Sequence, residues 1–481
     1  MPRVTEEFEE QHDLTMMQEK FVRMHQELVV PLFANIPVAR YLGVPLDVRA
    51  LDRSVRELIR RYGALRIRYR SVGDAGQWSA QVATSTDYEL HRVELTDLAV
   101  GEQLVAARRE IESFAATRFS LEYGPRIRVS AITLAQHTHI LLFVFDHSAI
   151  DGWSAALLER DFDILYAAHS TGGIPALGPV AMQFSEFARR QNEWLEGPDA
   201  LEILRQWSER VADASDAFWL PTDRTTSVDS PYVRERTSRS IPRSTMLSLQ
   251  KLGAAYRATP FIVTLAAFVA VLIKWTGRYD TFVRVAHHGR HRAELREVVG
   301  CAFDEWYLRA QVTKAPSFTE LLQVVRDAYV RNLPMLDFPG RKLKESIPLP
   351  AGREIRRVPS FNYIQFNLGS AVRVPGNEQP DAQARYQHVS TVLKGIAFSP
   401  YLEPATGLAL AVVLVQSSEG LSWAFEYDPL LFEGTTVESL SNSLERVLRE
   451  VSANPDVPVA QLPKSVFAAA AKSVDQVTRR Q

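Results

Sequence analysis

The chain runs to 481 residues, 46% hydrophobic and 23% charged; this balance fits a soluble globular protein, and the length asks for two lobes rather than one core. Lys and Arg number 55 against 57 Asp and Glu, a formal net charge of −2, so no bulk basic field points to nucleic acid. The single cysteine, Cys301, excludes an intrachain disulfide framework and a cysteine-based metal site, and the acidic start MPRVTEEFEEQHD lacks the apolar stretch of a signal peptide.

Strands and helices alternate from the start of the chain. Leu51, Val55, Leu58, Ile59 and Tyr62 share one helical face, and Gly63 is expected to end that helix. A strand is predicted over 65–69, and the arginines Arg60, Arg61, Arg66, Arg68 and Arg70 around it read as a solvated face. Two more strands are predicted over 127–134 and 139–145. The second carries the continuous run ILLFVF, which suits a strand buried on both faces. A helix follows from 153. Glycine and proline cluster at 170–179, and the lobe boundary is placed there, giving lobes 1–175 and 176–481.

The second half opens with helical material at 182–195. The longest apolar run, 261–273, is too short to cross a bilayer and reads as a buried helix. A strand over 281–286, a helix over 319–332 and a strand over 361–366 repeat the pattern of the first half. Thr435 and Glu438 have capping-box spacing, ahead of a helix whose face is Val437, Leu440, Leu444, Val447, Leu448 and Val451. The tail after Pro463 is alanine-rich and charged, which reads as loosely held. A cytoplasmic protein with no membrane or nucleic-acid partner is expected, and a monomer.

The chemistry concentrates in FDHSAIDGWS, residues 145–154. A buried strand delivers Asp146, His147 and Ser148 into a loop, and a helix starts beyond Asp151 and Gly152. Histidine titrates near neutrality, so at a strand end it is placed for acid–base work. Gly152 lets the backbone turn sharply and approach a ligand closely. Taken alone, His-x-x-x-Asp-Gly also suits a loop histidine held by Asp151.

The segment resembles the HHxxxDG motif of the condensation domains of nonribosomal peptide synthesis, a branch of the chloramphenicol acetyltransferase-like acyltransferases. Further segments are similar to that family in its order: LTMMQEKF (14–21) to LTxxQ, RRYGALRIRY (60–69) to RHExLRTxF, MQFSEFARRQNEWL (182–195) to YxDFAxWQ, and WLPTDR (219–224) to LPTDR. Beyond these, GRHRAEL (289–295) and GCAFDEWYLR (300–309) resemble RxxxE and GxFVNTLxLR, RNLPMLDF (331–338) resembles AHQDLPFE, and FEYDPLLFE (425–433) resembles the closing YxxxLF.

The resemblance implies an α/β fold of two chloramphenicol acetyltransferase-like lobes forming a pseudo-dimer around a central tunnel, and acyl transfer from a carrier-protein thioester to an amine or hydroxyl acceptor, free or carrier-bound. His147 would be the catalytic residue and the Gly152 N–H an oxyanion donor. Asp151 would pair structurally with Arg290, with Arg284 as the fallback. Asp146 and Ser154 would modulate. No metal and no intrinsic cofactor is implied, only the phosphopantetheine arm of an acyl-loaded carrier protein. The chain starts just before the opening motif, ends soon after the closing helix and holds no ATP-binding loop, so it is expected to be free-standing and to act in trans. Arg60, Arg61 or Arg353 could contribute to carrier docking.

The sequence also departs from the family. Asp146 stands where the family has its first motif histidine, and with Asp151 and Ser154 it makes D-x-x-x-x-D-x-x-S, which resembles the heterocyclization relatives. AHHGRH (286–291) is similar to the epimerases' EGHGRE, but Ala286 takes the place of their glutamate. Asp304 replaces the usual asparagine after GxFV. Heterocyclization and a non-catalytic recruitment module therefore stay open beside condensation.

Overall fold

A computed structural model describes residues 7–27, 35–72, 77–214, 220–224, 235–345, 358–365, 409–417 and 420–462. Trp219, Arg353 and the tail beyond 462 lie outside the described residues. The chain falls into two compact α/β units. The first holds the described residues through Gly197 together with His288–Phe303, and the second holds the rest. The division thus comes later than the expected 175/176, and one stretch of the second half rejoins the first unit. The physical reason lies in 182–195. Gln183 Oε1 accepts the Gly63 N–H at 3.0 Å, its Nε2 donates to Arg61 O at 2.9 Å, and Ser185 bonds Glu10, so this helix is fastened to the first unit.

In the first unit the elements are β1 (Phe8–Asp13), α1 (Met16–Glu27), β2 (Asn35–Leu42), α2 (Val48–Arg61), β3 (Ile67–Val72), β4 (Gln77–Ala83), β5 (His91–Glu94), α3 (Val100–Ala116), β6 (Ile127–Ala135), β7 (Thr138–Asp146), α4 (Gly152–Thr171) and α5 (Phe184–Leu195). One sheet runs β2-β7-β6-β5 and a smaller one β1-β4-β3. β7 pairs antiparallel on both sides, and every residue of it is buried, as its unbroken apolar run demands. It is therefore the rigid member that ends at the candidate site.

α2 buries Leu51, Val55, Leu58 and Ile59, and Asp47 caps its start by accepting the Ala50 N–H at 2.9 Å. Its end differs from expectation. Gly63 does not take a left-handed cap; it opens a tight turn over Gly63–Arg66, so the strand begins at Ile67 rather than at 65. Arg66 explains the turn. Its buried guanidinium turns back to donate to Ile59 O at 3.0 Å and to Ala83 O, which ties the turn to α2 and β4. Two members of the arginine group are thus buried, Arg66 and Arg68, and are not part of a solvated face.

The second unit contains α6 (Pro198–Val211), β8 (Glu235–Pro242), α7 (Arg243–Ala255), α8 (Pro260–Thr276), β9 (Asp280–His287), β10 (Asp304–Gln311), α9 (Phe318–Asn332), α10 (Gly340–Glu345), β11 (Ser360–Gln365), β12 (Leu410–Ser417), β13 (Gly420–Tyr427) and α11 (Gly434–Ala453). Its sheet runs β10-β9-β11-β12-β13-β8, with β11 parallel to both neighbours. α8 carries the long apolar run, buried from Ile262 through Ile273, between a Thr259 cap and a left-handed Gly277. No single described helix is long and apolar enough to cross a membrane.

The capping box expected at Thr435 is absent. α11 starts at Gly434, so Thr435 already lies inside the first turn, and the Glu438 carboxylate reaches Arg239 at 3.2 Å instead. A reciprocal capping box occurs at α9, where Ser317 and Glu320 exchange side-chain and backbone bonds. Asp304 joins two elements, since its Oδ1 accepts the N–H groups of Glu305 (2.7 Å) and Gly340 (3.2 Å) and so holds α10 against β10.

Candidate active site

β7 ends at Asp146, whose buried carboxylate organises the loop that follows. Oδ1 accepts the Ser148 N–H at 3.0 Å, the Ser148 hydroxyl at 2.8 Å and His25 Nε2 at 3.3 Å, while Oδ2 accepts Arg126 Nη1 at 3.0 Å. Burial alone would raise this carboxyl's pKa. His25, Arg126 and Ser148 outweigh that and hold it below the ordinary carboxylate value, so Asp146 is a fixed anion. Its backbone carbonyl accepts the N–H groups of Ala149 and Ile150, closing the turn. The Tyr69 hydroxyl donates to Ser148 O at 2.7 Å and accepts from Gln18 at 3.4 Å. Two of the matched segments, those with Gln18 and Tyr69, therefore brace this loop.

His147, held between these anchored neighbours, is 7% exposed. Its ring stacks on Phe21, with centroids 4.4 Å apart and planes 22° apart, and meets Phe303 at 5.2 Å and 40°. Nδ1 has no hydrogen-bond partner, and the residue's own backbone carbonyl is among the smaller influences that favour the charged ring. Burial pushes the imidazole pKa down from 6.5 to about 4, against the smaller opposing pull of that carbonyl and of Asp151, so the ring is neutral at pH 7.

Asp151 caps α4, its Oδ1 accepting the Ser154 N–H at 2.8 Å. Oδ2 gathers three donors, Arg290 Nη1 at 2.7 Å and the N–H groups of Ala302 and Phe303 at 2.9 Å each. The Arg290 guanidinium is fully engaged, donating also to His288 O, Val298 O, Gly300 O and Ser154 Oγ. Ser154 Oγ in turn donates to Gly300 O and accepts Gly300 N–H. The chain thus brings Asp151, Arg290 and Ser154 into one buried cluster, and Arg284 instead pairs with Glu305 at 3.1 Å. Gly152 is the first residue of α4, so its N–H has no acceptor within the helix.

Sequence reasoning did not single out Phe21, Phe303, His25 or Arg126. Phe21 and Phe303 did fall inside matched segments, but only packing reveals that their rings meet His147. Of the arginines considered for docking, Arg60 pairs with Glu57 on its own helix, and Arg61 lies 3.5 Å from Asp161 while donating to Gly178 O. Among the described residues, no three His, Cys, Asp or Glu side chains come together to hold a metal ion.

A family model described as Condensation domain matches residues 9–467. The chain is 29% identical over 434 residues to one of the linear gramicidin synthase proteins of Brevibacillus parabrevis, covering 89% of this chain and 5% of that protein. It is 30% identical over 419 residues to phosphinothricin tripeptide synthetase PhsB of Streptomyces viridochromogenes, covering 87% of this chain and 34% of that protein. The chain therefore spans a minor part of these relatives' length. Among solved structures, the first condensation domain of the calcium-dependent antibiotic synthetase superposes with a TM-score of 0.76 at 20% identity, over 95% of this chain and 99% of that one. The X-domain from teicoplanin biosynthesis gives 0.74 at 20% identity, over 96% and 98%. Both likenesses concern the fold.

Proposed function

The chain belongs to the condensation-domain family of nonribosomal peptide synthesis, and we propose that it transfers an acyl group from a phosphopantetheine thioester on a carrier protein to an amine or hydroxyl acceptor, with His147 at the reacting atoms. The observation that carries this reading is a neutral, buried imidazole with no competing side-chain partner, set on a loop whose Asp146, Ser148 and Asp151 side chains are all engaged by the chain itself.

A neutral imidazole that carries its proton on Nδ1 leaves the Nε2 lone pair to accept a hydrogen bond from the incoming nucleophile. As the amine or hydroxyl attacks the thioester carbon, its proton passes to Nε2 and the carbonyl oxygen takes up negative charge. The Gly152 N–H at the start of α4 is the candidate donor to that oxygen. Collapse of the tetrahedral species breaks the carbon–sulfur bond, and the thiolate takes the proton back from His147. An amine attacks a thioester well once oriented, whereas a hydroxyl depends more heavily on the base.

Asp146, Asp151 and Ser154 play no direct part in this scheme, because each is occupied by the chain itself. The same occupancy weighs against assigning cyclodehydration to that trio. The test offers one acyl group in three forms: as a carrier thioester, as a small pantetheine-like thioester, and as free acid with ATP. Product is followed by intact mass with amine and hydroxyl acceptors. Carrier-bound donor should be strongly preferred, and docking should weaken as salt screens the charges. Turnover of free acid with ATP contradicts the proposal. A product lighter by one further water means heterocyclization, and carrier binding without product from any acceptor means a recruitment module.

A further inference from the structure

A general base works only if its ring presents the accepting nitrogen in a fixed direction. The usual device is an acceptor on Nδ1 that sets both the tautomer and the ring plane. His147 has no such acceptor on any other residue. Asp146 and Ser148 fix its backbone, but the second side-chain torsion of histidine is broad and intrinsically soft. Something else must hold the ring.

We infer that Phe21 and Phe303 are positioning residues for the His147 imidazole, and that Asp151 acts on His147 at one remove by holding the Phe303 backbone. The inference rests on the acyl-transfer reading for its catalytic consequence, though not for its geometry. The three ring centroids form a triangle of 4.4, 5.2 and 6.0 Å. Phe21 therefore covers one face of the imidazole, and Phe303 lies to another side of it with its plane tilted by 40°. The two make a corner, not a sandwich, and leave the opposite face and edge of the imidazole clear of them. Rotation of the imidazole toward either phenyl is blocked.

Each phenyl is itself held. Phe21 is fully buried on α1, whose start is locked by the exchange of bonds between Thr15 and Gln18. Phe303 is only partly buried, so packing alone does not fix it. Its backbone N–H and that of Ala302 both bind Asp151 Oδ2 at 2.9 Å, and the same oxygen is pinned by Arg290. The corner also keeps water off the imidazole, consistent with burial being the largest cause of its lowered basicity.

The test uses the full chain and the variants Phe21→Leu, Phe303→Leu and Phe303→Tyr. The His147 ring resonances are followed in protein labelled with carbon-13 histidine and identified by their loss in His147→Ala. A ring stacked on a phenyl face is shifted upfield. Phe21→Leu and Phe303→Leu should move those resonances and lower kcat about 10- to 100-fold with KM little changed, as expected for a misplaced catalytic group. Phe303→Tyr, which keeps the aromatic face, should restore both. Asp151→Asn should move the His147 resonances in the direction seen for Phe303→Leu. Folded leucine variants with unchanged His147 resonances and unchanged kcat would overturn the inference, and an unmoved resonance in Asp151→Asn would overturn the role at one remove. If the parent protein turns over no donor, the acyl-transfer reading fails, and broadening of the His147 resonances in the leucine variants, which loss of the phenyl ring current alone does not produce, still decides whether the corner positions the ring.

Discussion

Asp151→Asn is the perturbation whose cost can be worked most directly from the structure. The carboxylate accepts the Ser154 N–H on one oxygen, and Arg290 with the N–H groups of Ala302 and Phe303 on the other. If the asparagine oxygen keeps the Ser154 cap, its NH2 group faces three donors. Each buried donor stripped of its acceptor costs about 1–3 kcal/mol, and breaking one side of a buried ion pair costs about 3–5 kcal/mol. These terms describe the same groups, so they overlap rather than add, and about 3–5 kcal/mol is expected in all. At about 2–4 °C per kcal/mol for a unit of some 150–250 residues, Tm should fall by about 6–20 °C. Differential scanning calorimetry with urea titration measures it. The double variant Asp151→Asn/Arg290→Met removes the uncompensated cation, so its loss should be smaller than the sum of the two single losses by about 0.5–3 kcal/mol. A single variant melting within about 2 °C of the parent, or strictly additive singles, would refute the reasoning.

Acid titration gives a second outcome. The folded-state pKa of His147, about 4, lies below its ordinary 6.5, so the unfolded chain takes up the proton first. The stability tied to the neutral imidazole is complete above pH 6.5 and is lost as pH falls toward 4. Subtracting the urea midpoints of His147→Gln from those of the parent, which cancels the other buried histidines, should give a difference that shrinks across that window; a constant difference contradicts the shift. Ser317→Ala should cost about 1 kcal/mol by urea denaturation, because it removes a reciprocal cap. Thr435→Ala should stay within about 0.5 kcal/mol, since that threonine caps nothing.

The elements legible in the sequence are those whose pattern is dictated by burial. The apolar run of β7, the single face of α2 and the all-apolar α8 can bury their side chains in only one way, and each lies within a few residues of its expected place. The turn at Gly63–Arg66 was not legible. It depends on a buried arginine satisfying one carbonyl of α2 and one of β4, which no local pattern records. Cap placement failed at α11 for a similar reason: Thr-x-x-Glu spacing is necessary for a capping box, but Glu438 has a better partner in Arg239. At the site, the motif located His147, Asp151 and Gly152, and the resemblance pointed to Arg290. The aromatic corner and the His25–Asp146–Arg126 network join residues far apart in the chain whose types are common in any core. Only three-dimensional packing distinguishes them.

The central claim is that His147 performs acyl transfer. It is tested most directly by mixing a carrier protein loaded with an acyl thioester, an acceptor, and either the parent chain or His147→Ala, and following the carrier's intact mass over time. The parent should unload the carrier as product of the summed donor and acceptor forms. His147→Ala, folded by circular dichroism and still binding the carrier, should do so about 10²- to 10⁴-fold more slowly. A folded His147→Ala that unloads the carrier at the parental rate, or a parent that binds the loaded carrier and never unloads it, would mean that His147 does not carry acyl transfer.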